Sequence, residues 1–302
     1  MESLNIDNTS IQDENEILKV SPFNKNNKLI TEIEVINLLK TYGVEEEINN
    51  LRNYQLAFIH KSYVKKENNI NNRGESVELA ECPEDCLNLQ DQCNERLEFL
   101  GDSILGSTVA SYLYERFPDE NEGFMTRLRT KLVNGEMLGF LAQKVGFPEF
   151  MIISKHVEEK CNGRENVRIL EDIFESFIGS LYLDLNDTEL KNPKMEFFSG
   201  IGFQVCQVFI INIIEKFVDF SELILNDYNY KDQLLRYFQH KFKQVPKYRQ
   251  ISVEGLHHNR LFTMAVVKDE KEIIAYGQDK SKKKAEQQAS LNALIKYGII
   301  ES

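Results

Sequence analysis

The amino-acid sequence predicts two domains of different fold class, an all-α helical bundle followed by a small α+β domain. Between residues 103 and 185, apolar residues recur at helical spacing, and no alternating strand pattern interrupts them. After residue 247, three short alternating runs precede a final helical segment. The chain has 302 residues, which fits two domains because a typical domain takes ~150 residues.

The first domain is expected over residues 29–226. Residues 1–28 are rich in Asn, Asp, Glu and Ser, a composition that predicts a disordered tail. Thr31 suits the N-cap of a first amphipathic helix. Two insertions are expected, at about 64–93 and 186–202; the first is polar and favours disorder, and the second is loop-like. Apolar residues at helical spacing from 203 to 225 close the bundle.

The second domain is expected over residues 227–302, in the order α-β-β-β-α. Its predicted elements are a helix over 230–242, strands within 248–253, 261–267 and 273–277, and a helix over 282–297 that Ser281 caps. The whole chain has a net charge of −12, but residues 227–302 hold 14 Lys and Arg against 9 Asp and Glu, a balance of +5 that leaves −17 for the rest. The basic excess indicates nucleic-acid binding by this domain.

The cysteines and the apolar segments indicate a cellular compartment. The chain has five cysteines, its Asn- and acid-rich start lacks the basic and apolar regions typical of a signal peptide, and no stretch approaches ~20 apolar residues. These features favour free thiols in an intracellular protein, cytoplasmic or nuclear, without a membrane partner. Cys82, Cys86 and Cys93 are close in sequence, so a thiolate metal site remains an alternative, although CxxC pairs typical of zinc sites are missing.

Two pairs of carboxylates give the strongest indication of function. Glu98 and Asp102 are four residues apart, and Asp172 and Glu175 are three apart, so each pair lies on one face of its predicted helix. Like charges on one face repel each other unless a cation lies between them, and oxygen ligands favour Mg2+ or Mn2+. A single acidic pair is usually a solvated face, whereas two pairs in apolar helices favour a metal site.

A glycine accompanies each pair. Gly101 and Gly179 lie in helix interiors, where glycine costs ~1 kcal/mol relative to alanine. Close approach of the two helix backbones would explain both glycines, and it would bring the four carboxylates together.

The strings around these residues resemble those of a known family. Residues 94–103 (Asn-Glu-Arg-Leu-Glu-Phe-Leu-Gly-Asp-Ser) resemble the signature of the ribonuclease III family, and residues 172–179 (Asp-Ile-Phe-Glu-Ser-Phe-Ile-Gly) resemble its second catalytic stretch. Residues 57–63 and 122–129 look like the helices before and after the signature. Val167 and Arg168 depart from the pattern, because many bacterial members carry an acidic residue and Ser there. Residues 229–298 resemble a double-stranded RNA-binding domain.

The resemblance implies roles for individual residues. It makes Glu98, Asp102, Asp172 and Glu175 the ligands of Mg2+, or of Mn2+ as a substitute, with Asp102 and Glu175 as the catalytic residues to test first. Glu95 and Glu122 match two accessory acidic positions. Phe99 is either a dimer-interface residue, as in the family, or an ordinary core aromatic. His60 is expected to be a hydrogen-bonded core histidine rather than a catalyst.

RNA binding is expected from the second domain. Lys282 and Lys283 begin its last helix, where cationic side chains and the helix N-terminus suit phosphate contacts. His258 falls in a segment that looks like the family's minor-groove loop, although Leu256 replaces the usual Pro there. A lysine run is more often a solvated face or a localisation signal, but its position after the third strand favours RNA.

The implied function is a Mg2+-dependent endoribonuclease that hydrolyses double-stranded RNA and leaves 5′-phosphate and short 3′-overhang ends. One catalytic domain supplies one cleavage centre, so cutting both strands implies a homodimer. The alternative is a noncatalytic duplex-RNA-binding protein on the same fold. A helical metal phosphohydrolase that acts on nucleotides is a third hypothesis, but it leaves the second domain unexplained.

Overall fold

The computed structural model describes residues 19–65, 77–192, 195–225, 229–255, 260–269 and 272–300. Contacts between residues divide the chain into two compact units, one ending at Asp219 and the other beginning at Phe220. The domain boundary between residues 226 and 227 therefore stays a prediction of the sequence. None of the helices in the described ranges combines the length and the apolar character needed to cross a membrane.

The first unit is a bundle of helices, as the sequence predicts. Its helices are α1 (Glu32–Thr41), α2 (Leu51–Ala57), α3 (Glu95–Arg116), α4 (Glu122–Leu132), α5 (Gly135–Val145), α6 (Lys155–Lys160), α7 (Val167–Asp184) and α8 (Gly202–Phe217). The predicted N-cap of α1 is confirmed, because Thr31 and Glu34 form a reciprocal capping box.

Helix α7 is the centre of the bundle. It packs against α2, α3, α5 and α8, and most of its side chains are buried. Phe177 lies in the middle of an aromatic cluster, with its ring centroid 4.9 Å from that of Phe147 and 5.4 Å from that of Phe209. A helix that is apolar around most of its circumference must lie inside the bundle, and this burial fixes the position of every polar side chain on α7.

The segment before α1 corrects part of the sequence prediction. Strand β1 (Lys19–Val20) pairs in parallel with β2 (Glu78–Leu79), and Phe23 is buried. The side chain of Asn27 donates to the Ile153 carbonyl at 2.9 Å and accepts from the Ile153 amide at 3.1 Å. Residues 19–28 are thus packed, since asparagine side chains here bond backbone groups, a role that composition does not reveal. Residues 1–18 lie outside the described ranges.

The two predicted insertions also contain more structure than expected. Within 64–93, Cys82, Cys86, Leu87 and Leu89 pack against a small apolar cluster that includes Ile59, so the expectation of disorder is wrong for residues 77–93. Residues 66–76 lie outside the described ranges. The expected loop at 186–202 contains an antiparallel hairpin of β3 (Asn186–Asn192) and β4 (Met195–Gly200). Its polar sequence has few β-branched residues, so strand propensity gave no signal.

The second unit confirms the predicted α-β-β-β-α order. Its elements are α9 (Phe220–Leu225), α10 (Tyr230–Phe242), β5 (Lys247–Glu254), β6 (Leu261–Lys268), β7 (Glu272–Asp279) and α11 (Lys282–Lys296). The strands form one antiparallel sheet in the order β5-β6-β7, and α10 and α11 share its apolar core. Ser281 is at the N-cap of α11, but its side chain makes no capping hydrogen bond.

Candidate active site

The two glycines bring helices α3 and α7 into close contact. A Cβ atom at Gly101 would lie 2.6 Å from the carbonyl carbon of Glu175, and closer still to its oxygen. A Cβ at Gly179 would lie 3.1 Å from the carbonyl carbon of Leu97, again closer to the oxygen. Each glycine therefore faces the backbone of the other helix at the level of the carboxylate pairs. The sequence-based explanation of the two glycines is confirmed.

This contact gathers the four predicted carboxylates along one seam. Asp102 is exposed and Glu98 half-buried on α3, whereas Asp172 is half-buried on α7. Glu175 is the most enclosed, with 8% of its surface exposed. Its two neighbours on α7, Phe174 and Ser176, are buried as well.

Burial and mutual repulsion raise the pKa of these carboxyl groups. Burial is the larger cause for Asp172, followed by the charges of Glu98 and Glu171, and its pKa rises to about 7. The pKa of Glu175 rises to about 8, through burial first and then through Asp102 and Glu171. The pKa of Glu98 is also raised, by burial and by the neighbouring Glu95. The side chains are thus close enough to influence one another's ionisation.

The cluster has little compensating charge, because burial raises the pKa of Glu98 and Asp172 more than Lys61 lowers it. Among the described residues, none of the four predicted carboxylates accepts a hydrogen bond or forms an ion pair. A buried carboxylate without a partner is costly, and hard divalent cations prefer such oxygen ligands. Within the described ranges, however, no three His, Cys, Asp or Glu side chains are arranged so as to hold a metal ion. The four carboxylates carry the oxygen ligands that Mg2+ prefers, and they lie along the same seam. Among the described residues they are not arranged as a complete set of ligands around one point.

A cavity of about 480 Å3 opens beside the seam. Its lining residues are His60, Lys61, Asn94, Glu95, Glu98, Arg168, Glu171 and Asp172. Asp102 and Glu175 are not among them. Sequence reasoning did not select Glu171, Lys61 or Arg168 for this site. The signal for Glu171 was present, because it lies four residues before Glu175 and adjacent to Asp172.

His60 lies in the cavity wall as a neutral, hydrogen-bonded side chain. Its Nδ1 accepts from the Ser62 amide at 3.2 Å and lies 2.8 Å from the Ser62 hydroxyl. Burial lowers the pKa of His60 to about 4. The imidazole is therefore uncharged at neutral pH, in agreement with a histidine that supports the local fold.

Comparison with known proteins identifies the family. Residues 95–186 match the model of the ribonuclease III domain, and residues 230–297 match that of the double-stranded RNA binding motif. Ribonuclease 3 of Leptospira interrogans is 32% identical over 254 residues, which cover 84% of this chain and 86% of that protein. The chain belongs to the ribonuclease III family. The predicted enzyme class and the order of its two domains are thereby confirmed.

Two further ribonuclease III proteins show the range of similarity. A probable ribonuclease 3 from Acanthamoeba polyphaga mimivirus is 33% identical over 280 residues. The match covers 92% of this chain but 48% of that protein, so the chain spans about half of its length. The solved nuclease domain of ribonuclease III from Campylobacter jejuni is 26% identical, aligned over 60% of this chain and 96% of that one, with a TM-score of 0.43.

The two residues predicted to be accessory acidic positions, Glu95 and Glu122, occupy different surroundings. Glu95 lines the cavity and lies 3.4 Å from the Lys61 ammonium. Glu122 is exposed at the start of α4, where it accepts a hydrogen bond from Thr126 at 2.8 Å, and it is not among the cavity residues. Phe99 is 79% exposed on α3. The interpretation of Phe99 as a core aromatic is therefore wrong for this unit, which leaves the interface hypothesis.

The RNA-binding motif presents its lysines to solvent. Lys282 and Lys283 are exposed in the first turn of α11, and neither pairs with another described residue. Ala285, two residues after Lys283, is fully buried where α11 packs against β7. The predicted RNA contact His258 lies in residues 256–259, outside the described ranges.

Proposed function

We propose that this protein is a divalent-metal-dependent endoribonuclease that hydrolyses phosphodiester bonds of double-stranded RNA. The observation that carries the proposal is the seam between α3 and α7, where four carboxylates lie together and form no hydrogen bond or ion pair with any residue that the structure describes. A structural role for such a cluster is unfavourable, because burial and like-charge repulsion both oppose its ionisation. A divalent cation would relieve that repulsion.

The carboxylates Glu98, Asp102, Asp172 and Glu175 would hold Mg2+, or Mn2+ in its place. Bound to these residues, such an ion would supply activation of a water and stabilisation of charge on the departing oxygen. Glu175, which is nine-tenths buried, provides the inner wall of the site, and the more exposed Asp102 faces the approach of RNA. Family resemblance supports 5′-phosphate and short 3′-overhang products.

The second unit would hold the duplex through its phosphates. Lys282 and Lys283 carry exposed, unshared charges at a helix N-terminus, a favourable place for an anion. Duplex RNA is recognised mainly by shape and backbone, so this contact does not require a particular base sequence. Affinity and cleavage would then come from different parts of the chain.

A homodimer would provide the two centres needed to cut both strands. Phe99 supports this arrangement, because a phenylalanine that is 79% exposed on a monomer loses unfavourable contact with water in an interface. Phe99→Asp should give a folded monomer, and Ile33→Asp, at a position 71% exposed on α1, serves as the matched control. Analytical ultracentrifugation of both variants, free and on duplex RNA, checks the proposal, and a monomeric wild type in both conditions would contradict it.

The direct test of function is digestion of a long RNA duplex by purified full-length protein. We expect cleavage with Mg2+ or Mn2+ and none in EDTA, with 5′-phosphate ends in the sequenced products. Cleavage that persists in EDTA would refute the metal-dependent mechanism. Tight duplex binding without cleavage in any divalent cation would favour the noncatalytic RNA-binding protein.

A further inference from the structure

The cavity beside the carboxylates poses an electrostatic difficulty for an RNA substrate. Four of its lining residues are acidic, and only Lys61 and Arg168 among the lining residues carry positive charge, since His60 is neutral. A phosphate brought against this wall meets repulsion that is strong in a partly buried site. The two cations therefore determine how readily the RNA backbone enters.

The two cations differ in what they already contact. The Lys61 ammonium lies 3.4 Å from Glu95, so part of its charge is engaged. The Arg168 side chain is exposed, and its guanidinium forms no hydrogen bond or ion pair with any residue in the described ranges. The backbone of Arg168 is fixed all the same, because its amide donates to the N-cap side chain of Asn166 at 3.1 Å.

We propose that Arg168 is a substrate-binding residue, which holds a phosphate of the RNA strand at this cavity. The inference rests on the proposed function and names one contact within it. A guanidinium presents a planar fork of donors that matches two phosphate oxygens, which a lysine ammonium does not reproduce. Arg168 is also in the first turn of α7, so the positive end of that helix adds to its attraction for an anion.

A contact of this kind has a distinct kinetic signature. A phosphate held equally in the ground state and in the transition state contributes uniform binding, so its loss raises KM and leaves kcat nearly unchanged. We expect Arg168→Gln to raise KM for duplex RNA about tenfold. The dependence of log affinity on log salt should flatten by about one unit. Arg168→Lys keeps the charge without the fork and should fall between Arg168→Gln and wild type.

The experiment measures cleavage of one short RNA duplex by the full chain at several salt concentrations with Mg2+. Lys40→Gln is the control, because this substitution also removes one positive charge. Lys40 is exposed on α1 and lies outside the site. Circular dichroism verifies the fold of each variant. The proposal would be overturned if Arg168→Gln kept the wild-type KM and salt slope, or if it lowered kcat alone. An equal effect of Lys40→Gln would also overturn it.

Binding separates this inference from the proposed function. The same substitutions are placed on an Asp102→Asn background, and gel-shift titrations measure duplex affinity. If wild type fails to cut duplex RNA, the proposed function fails, yet these titrations still decide whether Arg168 contacts the backbone. If wild type cuts and Arg168→Gln binds with unchanged affinity and salt slope, only the assignment of Arg168 is wrong.

Discussion

The two units of this chain hold their functional charges in opposite physical settings. In the ribonuclease III domain, carboxylates lie along a seam between two packed helices, and Glu175 is only 8% exposed. In the RNA-binding unit, Lys282 and Lys283 stand in solvent at the start of α11. Buried like charges exist only where a rigid scaffold holds them together, whereas exposed lysines require little beyond a helix end. If the proposed function is correct, catalysis depends on the packed backbone of the first unit, and affinity depends on the surface of the second.

The largest effect is expected from disturbing the scaffold. Gly101→Ala places a Cβ 2.6 Å from the Glu175 carbonyl carbon, and because backbone cannot move aside cheaply, we expect a loss of ~3 kcal/mol or more in unfolding free energy. Gly106→Ala is the matched control on the same helix, where a Cβ would meet open space. Alanine should stabilise that position by ~0.5–1 kcal/mol. Urea unfolding of both variants provides the measurement, and equal stabilities would break the account of the seam.

A smaller effect is expected from pH in the absence of divalent cations. The folded-state pKa of Glu175 is raised to about 8 and that of Asp172 to about 7. Below pH ~4 these groups are protonated in both states and impose no penalty. As pH rises from ~4 to 8, the unfolded state loses its protons first, so the first unit becomes less stable.

Glu175→Gln removes one of these ionisations. In EDTA the variant should be more stable than wild type at pH 8 and should lose most of that advantage near pH 4. Glu122→Gln, an exposed carboxyl at the start of α4, should follow the wild-type profile. Thermal unfolding from pH 4 to pH 8 gives the curves, and a Glu175→Gln curve parallel to wild type would show that the seam imposes no electrostatic penalty.

The smallest effect is expected at the RNA-binding surface. Lys282→Ala combined with Lys283→Ala leaves the buried face of α11 intact, so the fold should not change. Two lost phosphate contacts should lower the salt slope of duplex binding by about two units, with a similar loss on unrelated duplex sequences because phosphates carry no sequence information. Gel-shift titrations at several salt concentrations test this. An unchanged salt slope would show that the two lysines belong to an ordinary solvated helix face and make no phosphate contact.

Local patterns predicted the site scaffold well. The strings around Glu98 and Glu175 contain both the acidic spacing and the glycines, and a glycine inside an apolar helix is informative because few contacts other than backbone approach require it. The predicted bounds of α10, 230–242, agree with the structure. Short apolar runs also located β5, β6 and β7, although the central strand β6 is buried at five consecutive residues rather than at alternate ones.

Long-range contacts could not be predicted in this way. The pairing of Asn27 with Ile153 joins residues far apart in sequence, so an asparagine-rich segment looked disordered. Likewise, Lys61 and Arg168 line one cavity only because separate elements of the first unit fold against each other. Their types and spacing gave no sign of a common site.

The most direct test of the central claim compares binding and cleavage in one variant. Asp102→Asn replaces one carboxylate oxygen by an amide nitrogen, which removes the charge with little change in size. The lysines of α11 are unaffected. We expect cleavage of duplex RNA with Mg2+ to fall about a thousandfold or more, because the carboxylate acts in the transition state. The dissociation constant measured by gel shift should stay within a factor of about two or three. Cleavage at the wild-type rate would contradict the claim that the seam is the active site, and an equal loss of binding would contradict the separation of the two units.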